Sequence, residues 1–378
     1  MDVAGGNAKR PALGVIAAAD ALRANMQVSG VHEQRQCEQA EPGPGARRTA
    51  DLATAQGLEC NEGPVYAPIV EDIDLRDARN PQMVTAYIGD IMASLRDREL
   101  RRLPRGDYMA TQTDINRDMR AILVDWLVEV AEEYRLLSDT FYLAVNYIDR
   151  FLSSVNVMRS QLQLVGVACM LVASKYEEIY APQVDEFCYI TDNTYSREEV
   201  LDMETRVLDT LEFELTTPTT KTFLRRFVKA AGARSTLEML ASYMAEASLL
   251  DYRLVHVPPS RIAAAVVLLA SWVMAFHDET PIDPASLWDA TTHHYTGYHS
   301  ADLQGPCEVV FEVYRAVTHS EPLRSAPDSQ GARLPAIREK YSTPRFRNVA
   351  RAVPPADLPD ALFHRAPVVA SPLRTSRS

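Results

Sequence analysis

The apolar positions between Met119 and Ala131 cover most of a helix circumference. At 100° per residue, the run Met-Arg-Ala-Ile-Leu-Val-Asp-Trp-Leu-Val-Glu-Val-Ala places apolar side chains on two arcs, and only Asp118, Asp125 and Glu132 share a polar edge. A surface helix buries one stripe, so a helix with this pattern must be surrounded by other elements. The pattern predicts a central helix, called the hub helix below, in an all-helical domain.

Further helical patterns follow the hub helix in two series with short connections. The first series continues over 141–151, 162–176, 183–189 and 198–211, and the second covers 221–230, 237–250, 261–276, 285–294 and 301–317. Ser160 with Gln163, and Ser196 with Glu199, have the spacing of capping boxes at helix starts. The chain is therefore predicted to be all-α, with two successive groups of five helices.

The two series contain a short internal sequence repeat. Residues 171–175 read Leu-Val-Ala-Ser-Lys and residues 268–272 read Leu-Leu-Ala-Ser-Trp, each in the third helix of its series. Such a repeat indicates a duplicated five-helix unit. Because the second copy has Trp272 where the first has Lys175, the packing of this helix does not itself require the lysine.

The flanks of the two series have different patterns. The apolar spacing over 81–104 predicts an amphipathic N-terminal helix, which we expect to pack on the first domain. Residues 1–80 show little periodicity and carry Pro-Gly clusters, which predicts a disordered tail. We expect a second disordered tail over 348–378.

Composition excludes some classes of function. A net charge of -12 argues against direct nucleic-acid binding through phosphate neutralisation. The five cysteines form no CxxC pair, which favours a reducing compartment. The longest apolar run, 262–276, is shorter than the roughly 20 residues that span a bilayer, so we expect a buried core helix and no membrane partner.

No group of residues in the sequence indicates catalysis or metal binding. His293, His294 and His299 lack a cysteine or paired carboxylate at a spacing that would complete a tetrahedral metal site. Neighbouring acids such as Glu177 and Glu178 point around a helix rather than into one cleft. We expect no metal, no cofactor and no enzymatic activity.

Eight short segments carry the order and spacing of one known family. They lie at 119–126, 146–152, 162–166, 173–178, 189–193, 213–218, 294–298 and 336–341. In these segments the chain resembles the cyclins, specifically the A-type mitotic cyclins of plants and green algae. The resemblance implies two tandem five-helix cyclin boxes, 105–215 and 216–347, behind an N-terminal helix.

The resemblance also implies a function. The chain would bind and activate a cyclin-dependent protein kinase by holding the kinase αC helix inward, without performing chemistry itself. It would act in S phase and at G2/M, in the nucleus with a cytoplasmic pool.

The resemblance places kinase contacts at one end of the first box. The expected kinase-binding residues are Lys175, Glu204, Tyr176, Glu178, Ile179 and Phe213. Lys175 and Glu204 would anchor the kinase αC helix, and the apolar side chains would pack beside them. Considered without the resemblance, Lys175 and Glu204 are an ordinary solvated pair worth about 0 to 1 kcal/mol.

The hub helix resembles the substrate-docking groove of the family, which accepts Arg-x-Leu peptides of substrates and inhibitors. The expected groove residues are Met119, Ile122, Leu123, Trp126, Glu129, Leu162 and Gln163. An apolar helical stripe is usually core. We expect Ile122 to be mainly core and the other six to line an exposed cleft, with Glu129 meeting the peptide cation.

The tails carry two short candidate motifs. Arg10, Leu13 and Ile16 resemble a destruction box, the degron read by the anaphase-promoting ubiquitin ligase. Ser371 precedes Pro in a form that proline-directed kinases phosphorylate.

The chain has only five lysines. Lys9 abuts the candidate degron and Lys175 would be covered by the kinase. We therefore expect ubiquitin on Lys221, Lys229, Lys340 or the α-amine.

Two alternatives share the double five-helix architecture. Scaffolds of the transcription-factor B or pocket-protein kind would bind DNA or protein without activating a kinase. The acidic balance, Lys175 with Glu204, and the groove favour the kinase partner. B-type mitotic cyclins are the nearer alternative, and the segments 162–166 and 177–182 favour the A type.

Overall fold

The computed structural model describes residues 70–278, 283–324 and 331–363. The candidate destruction-box residues Arg10, Leu13 and Ile16 lie outside the described residues, as do Lys9 and Ser371. The predictions made for these five residues are therefore not tested by the structure.

The described part of the chain contains twelve α-helices. They are α1 Ile88–Arg101, α2 Arg117–Glu133, α3 Ser138–Ser154, α4 Arg159–Glu177, α5 Val184–Ile190, α6 Arg197–Thr210, α7 Thr220–Ala230, α8 Ser235–Ser248, α9 Pro259–His277, α10 Ala290–Thr296, α11 Gln304–His319 and α12 Ala336–Tyr341. Within these residues, β-structure is limited to one isolated bridge between Leu323 and Ala332. The prediction of an all-α protein is confirmed.

Local chemistry explains where several helices begin. The Asn116 side chain accepts a hydrogen bond from the Met119 amide and caps α2. Ser196 and Glu199 form the predicted capping box of α6. The prediction for Ser160 was wrong, because α4 begins one residue earlier, at Arg159, with Met158 at the N-cap.

The two groups of five helices are α2–α6 and α7–α11, and most residues of the third helix of each group, α4 and α9, are buried. The helix α9 is long and apolar enough to span a membrane by length and composition alone. Most of its side chains face other helices, as predicted for a core helix.

The hub helix is α2, and it packs against α3, α4 and α12. Gly166 allows α4 to come close, because a Cβ added there would lie 2.7 Å from Cδ1 of Leu123. The prediction of a surrounded helix is confirmed. Asp125, on the polar edge of the hub helix, is buried beneath α12 and accepts a hydrogen bond from the Ala336 amide.

A buried arginine joins the two helical groups. Arg120 of α2 is fully buried and donates from Nε and Nη2 to the two carboxylate oxygens of Asp149, at 2.6 and 2.7 Å. Its Nη1 donates to the carbonyl of Leu249, at the end of α8. Tyr108 donates to the same aspartate at 2.7 Å. The arginine therefore connects the hub helix to both its own repeat and the second one.

The N-terminal helix α1 packs against the second repeat, so the prediction that it packs on the first was wrong. Glu99 is buried and accepts hydrogen bonds from the amide and hydroxyl of Ser260, at 2.8 and 2.6 Å. Arg96 donates to the Ser260 hydroxyl and to the Thr296 carbonyl, and lies over the Tyr298 ring. Charged side chains decide this docking, which apolar spacing alone could not reveal.

Parts of both segments that the sequence predicts to be disordered are folded. Residues 70–80 lie on the second repeat, where Asp74 pairs with Arg226. At the other end, Val349, Ala350 and Leu362 are buried. Residues 70–80 and 348–363 therefore belong to the folded domain, because they supply ion pairs or apolar contacts to it.

Two candidate docking surfaces

The first surface, called the α4–α6 surface, is built around Lys175 and Glu204. Lys175 lies near the end of α4 and Glu204 on α6, which packs against α4. The lysine ammonium donates to both carboxylate oxygens, at 2.6 and 2.9 Å. Glu204 is largely buried while Lys175 is half exposed. The carboxylate of Glu204 is thus held inside the protein, and the Lys175 side chain reaches the solvent.

Large side chains in the segments that follow α4 and α6 are exposed. Ile179 and Tyr180 follow α4 and are 91% and 92% exposed, and Phe213 follows α6 and is 65% exposed. Tyr176 is also exposed, and its hydroxyl is within 2.7 Å of the Thr216 hydroxyl, which ties the end of α4 to the segment after α6. Adjacent exposed side chains of this size indicate an interaction surface.

The backbone holds Phe213 outward at a strained turn. Glu212 and Phe213 have φ values of 53° and 57°, a region that bulky L-residues rarely occupy. The Phe213 amide donates to the Leu208 carbonyl at 3.0 Å, which closes the turn at the end of α6. Such conformations persist where the surroundings fix them, often at functional positions.

Glu178 has a different role from its neighbours. Its carboxylate accepts hydrogen bonds from the Leu137 amide and the Thr140 hydroxyl, at 2.7 and 2.5 Å, at the start of α3. A carboxylate at a helix N-terminus stabilises the unpaired amides there. The structure gives Glu178 an intramolecular contact, and its kinase contact stays a prediction.

Tyr180 and Leu137 were not among the predicted residues, yet both are exposed beside the α4–α6 surface. Leu137 donates its amide to Glu178, which places it next to the end of α4. The signal available in the sequence was the continuation of the motif at 173–178 into Ile-Tyr-Ala-Pro.

The second surface is a stripe along the hub helix, called the hub stripe, formed by Met119, Ile122, Trp126 and Glu129. These positions are separated by three or four residues and so lie on one face of α2. Ile122 is 52% exposed, Glu129 is exposed, and Met119 and Trp126 are half-buried. The stripe lies open along one side of an otherwise enclosed helix.

The predicted burial of three groove residues was wrong. Ile122 is exposed rather than core, while Leu123 and Leu162 are buried rather than cleft-lining. Leu123 contacts the α4 backbone at Gly166, which fixes the face of α2 that turns inward. Ile122 lies about 100° away and points outward. Gln163 on α4 is half-buried, as expected of a residue at the edge of the groove.

Trp126 has an unused donor. Its indole Nε1 is buried and has no hydrogen-bond partner among the described residues. A buried indole N–H normally finds an acceptor. In the described part of the chain, the Trp126 indole N–H instead stays without a partner beneath the hub stripe.

Neither surface contains a group of residues that could hold a metal ion, and no such group occurs elsewhere in the described ranges. The rings of His293 and His299 stack at 4.1 Å, and Nδ1 of His293 lies 2.9 Å from the Tyr298 carbonyl. These contacts give the two histidines a structural role in the connection after α10.

Two family models cover most of this architecture. The model of the cyclin N-terminal domain matches residues 90–216, and the model of the cyclin C-terminal domain matches residues 218–355. The chain belongs to the cyclin family.

Plant A-type cyclins are similar to this cyclin. Cyclin-A1-1 of Oryza sativa subsp. japonica is 47% identical over 301 residues, which cover 78% of this chain and 55% of the rice protein. Cyclin-A1-1 of Arabidopsis thaliana is 46% identical over 294 residues, which cover 76% of this chain and 60% of that protein. The alignments thus span little more than half the length of these relatives.

A solved structure supports the fold. The X-ray structure of a viral cyclin from herpesvirus saimiri superimposes with a TM-score of 0.51 and 23% identity, over 58% of this chain and 94% of the viral one. At this identity the comparison concerns the fold alone.

Proposed function

We propose that this cyclin is a regulatory subunit that binds and activates a cyclin-dependent serine/threonine kinase. The observation that carries the proposal is the Lys175–Glu204 pair within a rim of exposed apolar side chains. Apolar anchors around a desolvated charge are typical of protein interfaces. The homology to plant A-type cyclins supports the same role.

The geometry suggests how the α4–α6 surface would hold a kinase helix. Ile179, Tyr180 and Phe213 would bury their exposed area against the apolar side of the kinase αC helix. An ammonium has three donors, and Glu204 accepts two hydrogen bonds from Lys175. The remaining donor suits a carbonyl at the end of a partner helix. An αC helix held inward would complete the lysine–glutamate pair over ATP in the kinase.

For the hub stripe we propose recruitment of substrates and inhibitors with Arg-x-Leu motifs. The peptide leucine would pack on Met119, Ile122 and Trp126, and the peptide arginine would meet the carboxylate of Glu129. Leu123 and Leu162 would support this surface from beneath.

We further propose turnover by the anaphase-promoting ubiquitin ligase, through Arg10, Leu13 and Ile16. Activity in S phase and at G2/M, and a nuclear location with a cytoplasmic pool, belong to the same proposal. Its support is the sequence pattern of the tail and the similarity to A-type cyclins.

A reconstitution tests the central proposal. The purified chain is added to a monomeric cyclin-dependent kinase, and phosphate transfer to histone H1 is measured with and without it. We expect tight association and strong stimulation. Association without stimulation would instead favour a cyclin-fold scaffold, and absence of both would refute the proposed function.

A further inference from the structure

Lysines are rare in this cyclin, and every lysine in the described ranges is held by a partner. The chain contains five, of which Lys175, Lys221, Lys229 and Lys340 are described. Their ammonium groups bind Glu204, Ser242, the pair Asp74 and Asp77, and the pair Glu132 and Glu246, respectively. An amine that is to be modified must first leave such a partner.

Two of these lysines have partners on packed helices of the folded domain. The side chain of Lys340 is 6% exposed and lies between Glu132 of α2 and Glu246 of α8. Lys221 is mostly enclosed, and burial lowers the pKa of its ammonium. Ubiquitin on Lys340 would require the packed helices that carry its partners to separate. Lys221 is held by Ser242 of the packed helix α8, and its modification stays a prediction.

Lys229 differs because its partners belong to a surface segment. It donates to Asp74 at 3.0 Å and to Asp77 at 2.6 Å, and its side chain is 29% exposed. Both acids lie in the segment 71–77, called the latch below. The 3₁₀ turn within it, 75–77, buries no residue, and the neighbouring Val70 and the Leu75 side chain are exposed.

The latch is held by polar contacts. Asp74 pairs with Arg226 at 2.7 Å, and the amides of Glu71 and Ile73 donate to the hydroxyls of Thr291 and Tyr295, at 3.0 and 3.3 Å. None of these contacts belongs to the apolar core, so the latch can open locally without disturbing that core. Release of the latch would remove both partners of Lys229 and leave α7 in place.

We propose that Lys229 is a latched acceptor: when the segment 71–77 leaves α7, Lys229 becomes the amine of the folded domain that receives ubiquitin. The release of Lys229 by the latch does not depend on the proposed function. Only the statement that the transferred group is ubiquitin rests on it. The tail that carries the candidate degron continues directly into the latch, so a ligase that grips the tail would pull on the segment that covers Lys229.

The transfer balances without further reactants than a ubiquitin thioester. The ammonium loses one proton, Nζ attacks the thioester carbonyl carbon, the carbon–sulfur bond breaks, and a thiol leaves as the isopeptide bond forms. Burial alone would lower the pKa of the Lys229 ammonium. The hydrogen bonds and charges of Asp77 and Asp74 together have the larger effect, so the pKa is raised and the neutral amine is disfavoured. The latch thus suppresses both access and nucleophilicity.

Amine labelling tests the proposal on the full chain. The protein is treated briefly with N-hydroxysuccinimidyl acetate, and acetylation of each lysine is quantified by peptide mass spectrometry. In Asp74→Asn/Asp77→Asn we expect labelling of Lys229 to rise several-fold, because the amine loses both carboxylate partners and becomes accessible. Labelling of Lys221 and Lys340 should stay unchanged.

Glu71→Gln is the matched control, because it removes an acid of the latch that makes no side-chain contact with Lys229. It should label like the wild type. In a reconstituted ubiquitin transfer, the double variant should gain ubiquitin at Lys229, and a further Lys229→Arg change should remove that gain. Unchanged Lys229 labelling in the double variant, or ubiquitin mainly on Lys221 or Lys340, would overturn the proposal.

The same labelling separates this proposal from the proposed kinase partnership. Addition of the kinase should protect Lys175, which lies on the α4–α6 surface, and leave Lys229 as it was. Failure to protect Lys175 would contradict kinase binding at that surface, whereas the response of Lys229 to the latch substitutions tests the latch alone.

Discussion

The ammonium of Lys175 and the carboxylate of Glu204 face each other as a bidentate pair, at 2.6 and 2.9 Å, with the acid buried and the base half exposed. A substitution at either position therefore changes both the local fold and the proposed kinase-facing charge. Lys175→Ala leaves a buried acid without its partner, so a loss of activity in that variant is ambiguous.

The charge-reversed variant Lys175→Glu/Glu204→Lys separates the two effects. It retains an ion pair between α4 and α6 but presents a carboxylate where the kinase would meet an ammonium. We expect near-normal thermal unfolding and at least a roughly tenfold loss of kinase stimulation, as for truncation of a central interface residue. Full stimulation by this variant would show that the pair is only structural.

Ile122 and Leu123 are adjacent in sequence but lie on different faces of the hub helix. Ile122→Ala should weaken binding of an Arg-x-Leu peptide, measured by fluorescence anisotropy, with little change in the free energy of unfolding. Leu123→Ala should destabilise the protein by about 2 to 5 kcal/mol, because it opens a cavity against Gly166. Equal destabilisation by both substitutions would contradict the burial seen here.

The Arg120–Asp149 pair should be among the most sensitive polar contacts of the fold. We expect Arg120→Ala to lower the free energy of unfolding by about 3 to 5 kcal/mol, since it strands a buried carboxylate and the Leu249 carbonyl. Arg159→Ala is the control, because Arg159 pairs with Asp114 at the surface. Its effect should stay within about 1 kcal/mol. Chemical denaturation of both variants gives the comparison.

Asp125 should make stability depend on pH. Burial raises its pKa to about 7, assisted by the nearby Glu129 and Glu339 and opposed by the amides of α12. Between the unfolded pKa near 4 and the folded pKa near 7 the native state binds the extra proton, so this residue lowers stability as pH rises through that window.

Asp125→Asn removes this titration while keeping an acceptor for the Ala336 amide. We expect it to stabilise the protein by about 1 to 3 kcal/mol at pH 8 and by much less at pH 5. Denaturation measured at both values provides the test. The same gain at the two pH values would mean that ionisation of Asp125 has no part in the effect.

Periodicity located the helices because most of them bury an apolar face with a regular repeat. It could not decide which face of the hub helix turns inward, because neighbouring residues such as Ile122 and Leu123 differ by about 100°. The close approach of α4 at Gly166 decides it. Periodicity thus locates the exposed face of the hub helix to within one residue. The contact with α4 decides that Ile122, and not Leu123, lies on that face.

Polar contacts between residues far apart in the chain also could not be predicted from the sequence. Ala336 lies 211 residues beyond Asp125 in the chain, and no local pattern links the two. The docking of α1 through Glu99 and Ser260 is of the same kind. The conspicuous site residues Lys175, Ile179 and Phe213 came from a resemblance of motifs, and their exposure is a feature that only the structure displays.

The position of α12 has a consequence for synthesis. This helix covers the hub helix of the first repeat, yet it is encoded after the whole of the second repeat. During translation, Asp125 and part of the hub helix therefore stay uncovered until residues 336–341 have left the ribosome. The first repeat expressed alone would therefore lack the helix that covers its hub helix, although the match to the cyclin N-terminal domain ends at residue 216.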